Sequence, residues 1–160
     1  MDRPDMCVPC GDGLVNVRVG AIIQRDGELL MAGNTRDAYL YSVGGRIKMG
    51  ETAQEAVVRE VLEETGVRME ADRLAFIHEN YFRLDVGPNK DKLVYELCFY
   101  FLMRVPADFA PVCESHTEDG MTEFLRWVRP DTPIQIYPDF FRTELDHIGP
   151  GVKYIIKDER

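Results

Sequence analysis

Long hydrophobic runs are missing from this chain of 160 residues: the longest, Leu97 to Met103, stops far short of the roughly 20 residues that cross a bilayer. Basic charge is also scarce. Nineteen Lys and Arg stand against 28 Asp and Glu, a net −9, which disfavours broad binding to a nucleic acid polymer or an anionic membrane. An anionic ligand would need a bound cation or a local basic pocket. Met1 to Asp5 lacks the basic segment and apolar stretch of a secretory leader, so the cytoplasm is the expected location. Cysteine is limited to Cys7, Cys10, Cys98 and Cys113, and a chain able to bury its own core needs no disulfide staples, so reduced thiols are expected.

With 45% hydrophobic and 29% charged residues, no repeats and no low-complexity linker, residues 1–160 read as one globular domain. Residues 1–12 are expected to form a flexible tail. Val15, Val17 and Val19 alternate within a strand over Leu14 to Ile23, and Asp26-Gly27 then offers a hairpin turn into Glu28 to Ala32. A short strand is expected near Tyr39 to Val43, others near Leu74 to Leu84, Leu93 to Arg104 and Thr122 to Val128, and a last one over Val152 to Ile156. A second helix is expected from Pro138 to Asp146. Strands interspersed with two helices indicate an α/β or α+β class.

Gly44-Gly45 breaks one strand, and Thr52-Ala53-Gln54-Glu55 is a capping box that opens a helix ending at Gly66. On a helical wheel we place Val58, Val61 and Leu62 on one side, with Glu60, Glu63 and Glu64 on the other. Three like charges at these spacings repel unless a cation sits among them. Their hard oxygen ligands suit Mg²⁺ or Mn²⁺. Ala53 and Ala56 leave room above the helix, and Glu51 is placed to pair with Arg59. A glutamate-rich face is by itself usually just a solvated surface.

The whole segment changes that balance. Gly45, Glu51, Arg59-Glu60-Val61-Leu62-Glu63-Glu64 and Gly66-Val67 match GX5EX7REUXEEXGU, with U apolar, at every defined position, and so this segment resembles the box of the Nudix hydrolase family. A chance match is on the order of 10⁻⁷ to 10⁻⁸. The resemblance implies an α/β/α sandwich around a mixed β-sheet and hydrolysis of the diphosphate linkage in a small nucleoside diphosphate joined to a group X. Nucleotide sugars, ADP-ribose and nucleoside triphosphates are substrates of this type. It implies Glu60, Glu63 and Glu64 as ligands of Mg²⁺ (or Mn²⁺), a carbonyl of Gly44 or Gly45 as a further ligand, and Arg59 with Glu51 as the orienting pair. A homodimer is a further expectation carried by the family.

Diphosphate oxygens repel nucleophiles, and divalent cations both neutralise that charge and activate water, while a carboxylate takes the proton. Glu60 is the first choice for that base. Family members also recruit a loop glutamate, and here Glu118 stands slightly ahead of Glu123 because Gly120 marks a loop. Arg46 is the best phosphate partner among the arginines, with Arg83 and Arg18 further choices, and Tyr41 borders the expected cleft as a stacking surface. Val43 replaces the proline common before the glycine pair. Positions sixteen to eighteen beyond the box hold Arg83, Leu84 and Asp85, which match neither the proline of ADP-ribose enzymes nor the tyrosine of dinucleoside polyphosphate enzymes. Cys7 and Cys10 form a lone CxxC without the second pair that a zinc ribbon needs. The competing class is a Nudix domain that binds nucleotides without cleaving them.

Overall fold

A computed structural model describes residues 2–112, 114–116 and 120–160. The elements run β1 (Cys7–Cys10), β2 (Gly13–Ile22), β3 (Gln24–Arg25), β4 (Glu28–Asn34), β5 (Leu40–Arg46), α1 (Ala53–Thr65), β6 (Glu70–Arg83), β7 (Leu93–Arg104), β8 (Glu114–His116), β9 (Thr122–Val128), β10 (Ile136–Tyr137), α2 (Phe141–Glu144) and β11 (Lys153–Asp158). The main sheet has the order β11-β6-β7-β2-β5-β4-β9-β8. It is mixed: β2 runs parallel to β7 and β11 parallel to β6, while β2–β5, β6–β7 and β4–β9 are antiparallel.

Local chemistry explains the joints. Asp26 and Gly27 both take positive φ, 54° and 79°, the pairing that closes a two-residue hairpin with the correct twist. Thr52 accepts the Glu55 N–H at 3.2 Å while Glu55 accepts the Thr52 N–H at 2.8 Å, and Gly66 ends the helix with φ 76°.

Strand alternation divides the side chains between two apolar layers. On β2 and β7 the odd positions Val17, Val19, Ala21, Phe99, Phe101 and Met103 meet Val57 and Val61 of α1. The even positions Ile22, Cys98 and Tyr100 face the other way, onto Phe140, Phe141 and Leu145. The sheet is therefore covered by α1 on one face and by the α2 region on the other.

Three expectations need correction. Residues 5–10 are not a loose tail: β1 pairs with β2 from Cys7↔Asn16 to Cys10↔Gly13, Asp5 bridges Lys48, and the Met6 N–H donates to the Ile47 carbonyl at 2.8 Å. The expected second helix shrinks to the single turn of α2, because Phe140 stands at its N-cap without a capping side chain and Phe140, Phe141 and Leu145 are all drawn into the core. Finally, α1 is rolled relative to the expected wheel. Its buried residues are Ala56, Val57, Val61 and Thr65, while Leu62 is 42% exposed.

The central aromatic of the second layer tests this architecture. Phe141 is 1% exposed, so Phe141→Ala should lower unfolding free energy by about 3–5 kcal/mol in urea titrations. Loss of the Thr52 cap in Thr52→Ala should cost about 1 kcal/mol in the same measurement.

Candidate active site

The roll of α1 has a cause that also builds the site. Glycines at 44 and 45 leave no side chains on the end of β5, so the Glu60 and Glu64 carboxylates can approach the strand backbone. A Cβ on Gly45 would collide with the Glu60 carboxylate, and one on Gly44 with the Val19 carbonyl oxygen across the β2–β5 ladder. The Gly44 N–H donates to Glu64 Oε2 at 2.7 Å. Glu60 and Glu64 thus point towards the sheet instead of away from it.

Arg59 latches this arrangement. Its guanidinium donates to Glu51 Oε2 at 2.9 Å, to Glu60 Oε1 at 2.7 Å and to the Arg46 carbonyl at 3.0 Å, and reaches Glu63 Oε2 at 3.3 Å. Glu51 in turn accepts the Lys48 N–H at 2.9 Å, tying the entry loop to the helix. The hydrogen bonds from Arg59 hold the Glu51 carboxyl below its ordinary value, and those to Glu51 raise Arg59 further.

The other two carboxylates are shifted the opposite way. Burial raises Glu60 despite its contact with Arg59, and burial pushes Glu64 up to about 8, with the neighbouring Glu60 charge adding to the shift. Both are half-buried acids whose ionisation burial disfavours, Glu60 with Arg59 as its ion-pair partner and Glu64 with the Gly44 N–H as its hydrogen-bond donor. That donor set fits a hard divalent cation, with Glu63 on the exposed turn beside them. Among the described residues no three His, Cys, Asp or Glu side chains already converge as a metal cluster. Arg59 holds oxygens of Glu60 and Glu63 in this arrangement.

A cavity of about 630 Å³ lies on the opposite face of the sheet, lined by Arg18, Tyr41, Arg83 and Glu123 among others. Burial works against the Arg18 charge, but Glu96 and Glu64 among its neighbours more than offset this, and Arg18 lies above its ordinary value. Burial raises the Tyr41 phenol, and the charges of Glu123 and Glu64 add to it; Glu123 lines the cavity with Tyr41. Arg46 does not line the cavity: it donates to Asn16 Oδ1 at 3.0 Å and lies 3.7 Å from Asp5. Arg83 lines the rim and donates to the Asp91 carbonyl at 3.0 Å.

Glu118 and Cys113 lie outside the described residues. Cys7, Cys10 and Cys98 carry free thiols, Cys98 within the core. Arg18 was legible only as one of several arginines. The signal that singles it out is its even position on β2, on the face away from α1 and beyond the apolar layer that meets the α2 region.

The family model of the NUDIX domain matches residues 14–144. A MutT-like protein of Streptomyces ambofaciens is 36% identical over 64 residues, covering 40% of this chain and 42% of that protein. The RNA pyrophosphohydrolase of Stenotrophomonas maltophilia is 27% identical over 144 residues, covering 82% of this chain and 69% of that one. The chain thus spans less than half of the first relative's length. Among solved structures, a MutT protein from Bacillus halodurans superposes with a TM-score of 0.58 at 16% identity, covering 90% of this chain and 92% of that one, a likeness of fold.

The raised Glu64 pKa makes a measurable statement about stability. Below the unfolded value of 4.5 the carboxyl is protonated in both states, and between 4.5 and about 8 only the native state keeps the proton. In chelator the melting temperature should therefore fall as pH rises from 5 to 8, and Glu64→Gln should flatten that slope. Added Mg²⁺ should restore stability most at pH 8. By the match of its family model over residues 14–144, the chain belongs to the Nudix family.

Proposed function

We propose that this protein hydrolyses the diphosphate linkage of a small nucleoside diphosphate joined to a second group, with Mg²⁺, or Mn²⁺ in its place, as cofactor. The observation that carries the reading is the pair of half-buried carboxylates, Glu60 and Glu64, seated against Gly44-Gly45 and both raised by burial. Glu60, Glu63 and Glu64 would hold the cation, with a carbonyl of the glycine pair as a further ligand. Once bound, the ion neutralises phosphate charge and makes water a better nucleophile.

The remaining work falls to this chain's own side chains. Arg59, braced by Glu51, fixes the Glu60 rotamer so that the carboxylate is preorganised. Glu123 lines the cavity with Tyr41, and its charge raises Glu64 further, so it supplies an acceptor for the water proton on that side; Glu60 is the alternative base, as is Glu118. Arg18 and Arg83 offer phosphate contacts inside and at the rim of the cavity. One relative bears the name RNA pyrophosphohydrolase, yet a net charge of −9 and a cavity of about 630 Å³ favour a small nucleotide over a polymer.

A panel of nucleotide sugars, dinucleotides and nucleoside triphosphates, incubated with Mg²⁺ and read by mass spectrometry, identifies both the X group and the bond broken. Glu63→Gln and Glu64→Gln should each lower kcat by roughly 10²- to 10⁴-fold without loss of fold. Turnover should vanish in excess EDTA. Unchanged rates in both variants would overturn the assignment, and tight nucleotide binding without turnover would mark a binding module instead.

A further inference from the structure

The even-numbered face of three central strands changes character at one level of the sheet. Phe76, Tyr100 and Gly20 form an apolar rung; the next is His78, Cys98 and Arg18, and the one after it Asn80, Glu96 and Asn16. The apolar layer thus ends where the floor of the cavity begins. In the outermost polar rung, Glu96 is engaged, accepting from Asn16 Nδ2 at 2.9 Å.

Two atoms of that floor are not engaged. His78 Nε2 and Asn80 Oδ1 are buried and have no hydrogen-bond partner among the described residues. His78 is 3% exposed, its ring set against Tyr100 and Phe140 at centroid distances of 6.2 and 5.1 Å. Both residues line the cavity, two positions apart on β6, so their side chains rise from the same face. Buried polar atoms without partners are destabilising, and a pair of them in one cavity points to a ligand that completes them.

We propose that His78 and Asn80 read the polar edge of the substrate's nucleobase, the group remote from the reacting diphosphate. Asn80 Oδ1 can only accept, so it takes an N–H of the base. His78 Nε2 donates to a ring nitrogen or carbonyl in the tautomer that carries its proton, and accepts a ring N–H in the other. Phe82, Tyr39 and Tyr137 supply apolar walls for a flat ring. The choice of a nucleobase rests on the hydrolase reading above; the two vacant hydrogen-bonding positions do not.

The test uses Asn80→Leu and His78→Phe with three readouts. In chelator, NMR titration with adenosine, guanosine, cytidine and uridine should show saturable binding of at least one nucleoside to the wild type. Both variants should weaken it about tenfold or more. Without ligand the variants should melt at or above the wild-type temperature, because an orphaned polar atom has been removed; a structural role would lower it. With Mg²⁺, KM for the best nucleotide should rise about tenfold at nearly constant kcat. Turnover of base-free ribose 5-triphosphate should be unaffected. Wild-type affinity for nucleosides in both variants, or no saturable binding to the wild type, would overturn the proposal. Should the wild type bind nucleosides through these residues yet hydrolyse no nucleotide, the hydrolase reading falls and this one stands; hydrolysis with unaltered KM in both variants gives the reverse.

Discussion

The close approach of α1 to the end of β5 is the contact on which the rest of the site depends. It needs a missing side chain at Gly45, where the Glu60 carboxylate takes up the space, and the Gly44 N–H, which donates to Glu64. A helix carrying Glu60, Glu63 and Glu64 would ordinarily turn that stripe to water. Here the sheet offers backbone in place of side chains, so the stripe is pulled partly inward and Leu62 is turned out to solvent. The carboxylate positions are fixed at the cost of burying two acids whose ionisation is thereby disfavoured.

Much of this was legible in the sequence, for reasons that differ from residue to residue. The hairpin at Asp26-Gly27, the Thr52–Glu55 box and the Gly66 stop are local rules, satisfied by backbone chemistry within a few residues. The Arg59–Glu51 pair followed from motif spacing and is present. The orientation of α1 was not legible from hydrophobicity alone. A wheel that sets Glu60, Glu63 and Glu64 on one face opposite Leu62 misses the inward turn of Glu60 and Glu64, because what they meet is set by glycines on another element.

Other features depend on contacts distant in sequence. The strand at Cys7–Cys10 has little alternation of its own and exists because β2 offers it an edge. Arg46 adjoins the glycine pair in sequence, and its contacts with Asn16 and Asp5 are set by strands distant from it in sequence. The pairing of β9 with β4, distant in sequence, sets Glu123 opposite Asn34 at the cavity wall.

Strand β2 separates the two halves of the proposed chemistry with successive residues. Val19 faces the α1 layer beside the carboxylates, and Arg18 faces the cavity. Its register is held on both sides, by the parallel partner β7 and the antiparallel partner β5. The strand therefore acts as a keyed partition. Removing a single residue from its middle would exchange the two faces, driving a guanidinium into the helix layer and a valine into the cavity. The length of this strand is consequently under tighter constraint than the identity of most of the side chains it carries.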